Sequence, residues 1–209
     1  MNSFDLSIYF VADPACCAGR SIVDVVVEAV QAGVTMVQYR DKSSDKAQIS
    51  AQAAMLVELL SDYDVALLIN DYIDVAQAVG ADGVHLGQGD KSPVEARAAL
   101  GHDAIIGQTA FTAEHIRAVD DTVVDYIGTG PFYPTKTDKG KPVLGAAQFS
   151  MLAALSPVPV VGIGGITADN AKTVMDAGAD GVAMMRAVSE AEDVTAAVLT
   201  FQTSLKGGL

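Results

Sequence analysis

The chain has 209 residues, half of them hydrophobic, and a mean hydropathy of +0.31, enough apolar material for one sizeable core. Its net charge of −13 at pH 7 argues against a nucleic-acid or anionic-membrane partner. No apolar run approaches the roughly 20 residues of a membrane helix, and residues 1–10 lack the basic start of a signal peptide. Cys16 and Cys17 are adjacent, which disfavours a disulfide between them. We therefore expect a protein of the reducing cytoplasm.

Along the chain, short apolar or β-branched runs alternate with alanine-rich segments of helical character. The predicted strands are residues 6–11, 36–40, 66–70, 83–86, 104–108, 126–128, 158–163 and 181–185. The predicted helices are residues 22–32, 46–61, 73–79, 93–100, 113–120, 146–155, 168–177 and 194–205. Several strand runs are apolar without alternation, as expected of parallel strands that are covered on both faces. Eight strand–helix pairs predict an α/β fold, a (β/α)₈ TIM barrel that occupies residues 1–209 as a single domain.

Two segments of the chain, AVGADGVHLG and DAGADGVAMM, are near-copies of each other. Each reads as a helix end, a glycine turn and the start of a strand. The pair fits a repeated barrel unit, although convergent loop chemistry explains it equally well.

In a TIM barrel the functional groups lie where the strands end. At the second strand, Gln38 and Arg40 share the face that points into the barrel mouth, and Lys42 follows in the loop. An amide and two cations at one rim form a plausible clamp for a polyphosphate. The alternative is that Arg40 only pairs with a nearby carboxylate.

Two aspartates follow neighbouring strands, Asp71 after the third and Asp90 after the fourth. Two carboxylates on one rim, completed by water and substrate phosphate, suit Mg²⁺. The alternatives are a helix N-cap for Asp71 and a turn residue or helix cap for Asp90. The spacing alone does not decide between these interpretations.

The loops after strands 7 and 8 are the usual phosphate cradle of such barrels. Gly164 and Gly165 would let the backbone approach a ligand, and Met185 and Arg186 follow the last strand. The alternative here is a glycine-rich turn without a ligand.

The loop of residues 131–144 after strand 6 is long and rich in lysine and threonine, and loops of this length are often functional. Its alternative interpretation is a solvated loop without a role. His85 in strand 4 is more simply a core or rim histidine with satisfied hydrogen bonds. No histidine has a serine or cysteine partner that the sequence identifies, so nucleophilic triad chemistry is poorly supported.

Five blocks carry a family resemblance over nearly the whole chain: VQYRDK, INDYIDVAQAVGADGVHLGQGD, GQTAFT, DYIGTGPFYPTKT and VGIGGITADNAKTVMDAGADGVAMM. Through them the sequence resembles thiamine phosphate synthases. The resemblance implies a transferase that couples hydroxymethylpyrimidine diphosphate to a thiazole phosphate, with or without a carboxylate. The products would be thiamine phosphate and pyrophosphate, and the cofactor would be Mg²⁺.

The resemblance also implies roles for individual residues. Asp71 and Asp90 match the metal ligands, and Arg40, Lys42 and Thr109 match the catalytic groups that contact the diphosphate. The substrate-binding residues would be Gln38, Arg40, Lys42, Asn70, Thr109, Thr135, Lys136, Thr137, Lys139, Gly165, Met185 and Arg186.

Three positions depart from the family pattern. Asp138 stands where lysine is usual, and Lys136 or Lys139 would have to supply that charge. Arg186 replaces a serine, and Phe111 stands where histidine is frequent.

Two other functions are compatible with such a barrel: a thiazole tautomerase-like isomerase and a non-catalytic binder of phosphorylated ligands. The retained Asn70, Asp71 and Asp90 favour the synthase, because a tautomerase has no leaving pyrophosphate to stabilise. The expected partners are small-molecule substrates only, and a homo-oligomer is left open.

Overall fold

In a computed structural model, which describes residues 4–137, 140 and 142–206, eight parallel strands form one closed barrel in chain order. The strands are β1 Ile8–Ala12, β2 Met36–Tyr39, β3 Ala66–Asn70, β4 Gly83–Leu86, β5 Ile105–Thr109, β6 Tyr126–Thr129, β7 Val160–Ile163 and β8 Gly181–Met184. Strand β8 pairs back to β1, with Tyr9 beside Ala183, and this pairing closes the sheet. The predicted (β/α)₈ architecture is confirmed.

Nine helices lie among the residues that the structure describes, in addition to a 3-10 turn at Pro14–Cys16. They are α1 Ile22–Gln31, α2 Lys46–Leu60, α3 Ile73–Val79, α4 Pro93–Leu100, α5 Ala113–Arg117, α6 Gly145–Ala153, α7 Ala168–Asp176, α8 Arg186–Ser189 and α9 Val194–Leu205. The four-residue α8 was not predicted. Over the described ranges, no helix is long and apolar enough to cross a membrane.

The predicted fifth helix, residues 113–120, was too long. Helix α5 ends at Arg117, and the Asp120 side chain accepts hydrogen bonds from the backbone N–H and the hydroxyl of Thr122. This local aspartate turn offers the backbone an alternative to further helical turns. The first strand also begins two residues later than predicted, at Ile8.

The hydrophobic core has two layers because strand side chains alternate in direction. Tyr9 and Val11 of β1 point into the barrel interior, whereas Phe10 points outward into the larger layer beneath the helices. Helices α2 and α4 begin with capping boxes, Asp45 with Gln48 and Ser92 with Glu95, which satisfy free N–H groups at both helix starts.

The similar segments AVGADGVHLG and DAGADGVAMM make equivalent contacts at the amino ends of β4 and β8. Asp82 accepts a hydrogen bond of 2.7 Å from the Leu67 N–H, and Asp180 accepts one of 2.7 Å from the Val160 N–H. A Cβ on Gly83 would lie 1.8 Å from the Ile105 carbonyl oxygen, and a Cβ on Gly181 would lie 1.8 Å from that of Leu6. Each aspartate thus links its strand to the preceding one by a hydrogen bond. Each glycine leaves room for the backbone next to it on the other side, near β5 for Gly83 and before β1 for Gly181.

Candidate functional site

The carboxyl ends of the strands surround one pocket of about 630 Å³. Every predicted site residue that the structure describes lies on its wall: Gln38, Arg40, Lys42, Asn70, Asp71, Asp90, Thr109, Thr135, Lys136, Thr137, Gly165, Met185 and Arg186. Lys139, with Asp138 and Lys141, lies outside the described residues. The pocket therefore brings together side chains from both halves of the chain.

Asp71 begins the loop after β3 in the left-handed region, with φ of +64°. Its backbone N–H donates a hydrogen bond of 2.9 Å to the His85 carbonyl, which ties this loop to β4. The N-cap of α3 is Tyr72, so the helix-cap interpretation of Asp71 is wrong. Asp is one of the few residues that adopt this backbone conformation readily. The turn therefore presents the carboxylate to the pocket.

The Asp71 carboxylate lies between a like charge and a cation. Burial raises its pKa, the ion pair with Lys42 lowers it, and the neighbouring Asp90 carboxylate raises it again. Asp90 also has a turn role, because its Oδ2 accepts a hydrogen bond of 2.7 Å from the Gly87 N–H. Helix α4 is capped by Ser92, so Asp90 does not cap it. Two neighbouring carboxylates form an unfavourable pair that a divalent cation relieves.

The Arg40 guanidinium forms an ion pair with Asp13, a buried carboxylate directly after β1. Asp13 also accepts a hydrogen bond of 3.0 Å from the Ala15 N–H. The pairing of Arg40 with a rim carboxylate, stated above as an alternative, is thus present, although Arg40 still lines the pocket. Sequence reasoning missed Asp13. Its position right after a strand, at the same rim as the other site residues, was the available signal.

A hydrogen-bonded chain of side chains crosses the barrel interior beneath the pocket. The Gln38 amide Nε2 donates to the Tyr9 hydroxyl at 2.6 Å, and the Tyr9 and Tyr126 hydroxyls are 2.7 Å apart. His85 continues the chain, with Nδ1 at 2.9 Å from the Tyr126 hydroxyl and Nε2 at 3.0 Å from the Thr109 hydroxyl. Both nitrogens of His85 have partners, as its core or rim interpretation predicts. No local pattern in the sequence connects these five residues.

The opposite side of the pocket is formed by the loop after β6 and by the end of β8. The Arg186 Nε donates a hydrogen bond of 3.3 Å to the Thr137 hydroxyl, and the guanidinium pairs with Glu190 one turn along. The Thr135 hydroxyl accepts a hydrogen bond of 3.3 Å from the Thr137 N–H. Two hydroxyls and a guanidinium therefore meet at this wall.

Gly164 and Gly165 make room for protein rather than only for a ligand. Both have positive φ, and a Cβ on Gly164 would lie 2.6 Å from the Pro131 Cβ. A Cβ on Gly165 would lie 2.5 Å from the Pro134 carbonyl oxygen. These glycines let the loop after β6 pack against the end of β7, and their role in ligand approach stays a prediction.

The fold and the pocket define a class of protein, a (β/α)₈ barrel whose polar cleft is built from residues at the carboxyl ends of its strands. A model of the family described as thiamine monophosphate synthase matches residues 8–188. The thiamine-phosphate synthase of Azorhizobium caulinodans is 44% identical over 207 residues, 98% of this chain and 97% of the relative. That of Albidiferax ferrireducens is 43% identical and covers 93% of this chain and 89% of the relative.

A solved structure agrees with these sequence matches. The thiamine phosphate pyrophosphorylase from Pyrococcus furiosus superimposes with a TM-score of 0.86 at 31% identity and covers 96% of each chain. The chain belongs to the thiamine monophosphate synthase family.

Proposed function

We propose that the chain is a thiamine-phosphate synthase, a transferase that joins hydroxymethylpyrimidine diphosphate to a thiazole phosphate. The convergence of its polar residues on a single pocket is the observation that carries the proposal. The names of its relatives support it. In the reaction, the C–O bond to the pyrimidine methylene breaks, and its electron pair leaves with pyrophosphate. The ring nitrogen of the thiazole then donates its lone pair to the methylene carbon.

We assign the wall formed by β2, β3 and β5 to the diphosphate. Arg40 offers a planar fork of donors and Lys42 a compact charge, and Thr109 adds a hydroxyl at the end of β5. These groups would stabilise the negative charge that develops on the departing pyrophosphate. Gln38 and Asn70 are both buried beside them and would orient the pyrimidine end of the same substrate.

The donor set fits a magnesium ion, because Asp71 and Asp90 place two carboxylates together at this wall. Among the residues that the structure describes, no group of three or more histidines, cysteines or acids surrounds a point. Magnesium often relies on one or two carboxylates and takes its remaining ligands from water and phosphate. When bound, the ion would supply positive charge to the leaving pyrophosphate.

We assign the wall formed by Thr135, Lys136, Thr137, Gly165, Met185 and Arg186 to the thiazole phosphate. Arg186 meets this phosphate in place of the serine that the family pattern leads one to expect. Its guanidinium is partly exposed and already contacts Thr137, so it can add a fork of donors to the threonine hydroxyls.

The two substrates would meet between these walls, so the main tasks of the protein are orientation and the exclusion of water. The attacking thiazole nitrogen carries no proton, so bond formation needs no general base. His85 is consistent with this, because burial lowers its pKa to about 4 and leaves it neutral near pH 7.

The proposal is tested by incubating the purified chain with both substrates and Mg²⁺ and measuring thiamine phosphate and pyrophosphate. We expect equal amounts of both products, and none when either substrate is omitted or a chelator is in excess. Isomerisation of a thiazole carboxylate phosphate without release of pyrophosphate would identify a tautomerase instead. Binding of both substrates without any product would identify a non-catalytic binder.

Lys136→Ala is expected to raise the KM for the thiazole phosphate about tenfold, because it removes a cation from a wall that binds an anion. Lys172→Ala is the matched control, since Lys172 is an exposed lysine of α7 that pairs with Asp176 away from the pocket. Steady-state kinetics with each substrate varied in turn measures the effect.

Lys139→Ala belongs in the same series, because one of the two lysines is expected to replace the lysine missing at position 138. Parent-like kinetics in both variants would refute this compensation.

The cytoplasmic location and the single domain over residues 1–209 stay predictions. The sequence makes no prediction of the oligomeric state.

A further inference from the structure

The hydrogen-bonded chain beneath the pocket joins Gln38, Tyr9, Tyr126, His85 and Thr109 without a break. We propose that this chain has a single polarity, with every proton directed from Gln38 towards Thr109. Its consequence is that the Thr109 hydroxyl presents its own proton, and not a lone pair, to the pocket. The part of the inference that concerns the substrate diphosphate rests on the proposed function.

The polarity follows from counting protons, beginning at Gln38. Its amide nitrogen has only protons to give, so the Tyr9 hydroxyl accepts from it. A phenol has one proton, and Tyr9 must give that proton to the Tyr126 hydroxyl at 2.7 Å. Burial raises the pKa of Tyr9 to about 12 and that of Tyr126 well above its ordinary value, so both phenols keep their protons at neutral pH.

His85 is the next member of the hydrogen-bonded chain. Tyr126 has accepted from Tyr9, so its proton goes to His85 Nδ1 at 2.9 Å. An imidazole whose Nδ1 accepts a hydrogen bond is neutral, and its one proton lies on Nε2. The Nε2–H then donates to the Thr109 hydroxyl at 3.0 Å. The chain therefore selects one of the two tautomers of His85.

Thr109 is the last member and lies on the pocket wall. Because its oxygen accepts from His85, its own proton is left to point into the pocket, where an anionic oxygen is the matching acceptor. The reverse polarity would require the Gln38 carbonyl oxygen to face Tyr9. Thr109 would then donate to His85 and offer only lone pairs to the pocket. A site for a diphosphate needs donors, and this requirement favours the first polarity.

Two glycines show that the fold accommodates this chain closely. A Cβ on Gly107 would lie 2.2 Å from Cζ of the Tyr126 ring. A Cβ on Gly128 would lie 3.1 Å from the His85 Cε1. Both glycines belong to β5 and β6, the strands that carry Thr109 and Tyr126. A larger residue at position 107 would displace Tyr126, and one at position 128 would displace His85, from its place in the hydrogen-bonded chain.

The direct test is the tautomer of His85, measured by long-range ¹H–¹⁵N NMR on the full chain with ¹⁵N-labelled histidine at pH 7. His85→Gln identifies the signals among those of the three histidines. We expect the Nε2–H tautomer without substrate and with magnesium pyrophosphate added. A dominant Nδ1–H tautomer, or an imidazolium, would overturn the proposal whether or not the protein makes thiamine phosphate.

The functional consequence is tested with Tyr126→Phe, which keeps the ring and removes the donor to His85. We expect a mixture of His85 tautomers and a KM for the pyrimidine diphosphate about tenfold higher, with the KM for the thiazole phosphate within about twofold. Tyr39→Phe is the control. Tyr39 is also a buried tyrosine, but its hydroxyl donates a hydrogen bond to Asp41, and neither residue belongs to the hydrogen-bonded chain. Unchanged tautomer and kinetics in Tyr126→Phe would refute the role of the chain.

Substitutions at Thr109 separate this inference from the proposed function. Thr109→Ser keeps the hydroxyl and is expected to bind magnesium pyrophosphate like the parent, whereas Thr109→Val should bind it about tenfold more weakly. Calorimetry measures this binding without any turnover. If the protein makes no thiamine phosphate but the variants show these affinities, the proposed synthase activity is refuted and the proposed polarity still stands. Equal affinities in both variants would refute the donor role of Thr109.

Discussion

Asp71→Asn is expected to lower kcat about a hundredfold and to raise the Mg²⁺ concentration needed for half-maximal activity. Asparagine suits this position because it tolerates the left-handed backbone that Asp71 adopts, with φ of +64°. The substitution therefore removes a charge and leaves the turn in place. Coupling rates measured over a magnesium titration give both quantities.

Asp176→Asn is the matched control for Asp71→Asn. Asp176 is the last residue of α7, is exposed and pairs with Lys172, so its substitution changes the net charge equally and lies away from the pocket. We expect kinetics within about twofold of the parent, because a surface ion pair contributes little. An unchanged rate in Asp71→Asn, or full activity in excess chelator, would refute the metal assignment.

Asp71→Asn is not expected to lower the free energy of unfolding at pH 7. Burial is the largest influence on the Asp71 carboxyl and raises its pKa, so the folded state binds its proton more tightly than the unfolded state does. Such a group stabilises the fold at pH values below its unfolded pKa, and this contribution is lost as the pH rises through the folded pKa. At pH 7 the ionised carboxylate no longer contributes this stability. Loss of activity with unchanged unfolding would therefore locate the defect in the site.

The fold was predictable because its signals are local. Unbroken apolar runs such as VVGI of β7 indicate parallel strands covered on both faces, and they recur between helical segments. The ends of elements were less accurate. Asp120 forms a turn that competes with the helix, and α8 has only four residues, too few to show a period.

The site was predictable where its residues directly follow strands and was missed where contacts join distant parts of the chain. Arg40 and Asp71 directly follow β2 and β3, at the rim where TIM barrels usually carry their functional groups, and both line the pocket. The Tyr9–Tyr126 contact spans 117 residues of sequence and the His85–Tyr126 contact spans 41. Tyrosine in an apolar strand indicates only core. Which hydroxyls meet is set by barrel closure and register, which no local pattern encodes.

Arg40→Met is expected to be the second most damaging substitution, because it acts on both activity and stability. It removes the fork proposed to hold the diphosphate, and we expect kcat/KM for the pyrimidine diphosphate to fall about a hundredfold or more. It also leaves Asp13 buried without its cation, since the Asp13 side chain is only 7% exposed. Breaking such a pair from one side costs about 3 kcal/mol of unfolding free energy.

A second substitution separates these two effects. In Asp13→Asn/Arg40→Met the buried charge is gone, and the asparagine oxygen can still accept the hydrogen bond from the Ala15 N–H. We expect urea denaturation to show that the double variant regains most of the lost stability, because no uncompensated carboxylate remains. Its coupling activity should stay as low as that of Arg40→Met. Recovery of activity together with stability would mean that Arg40 only neutralises Asp13, and the diphosphate would then have to be held by Lys42 and Thr109 alone.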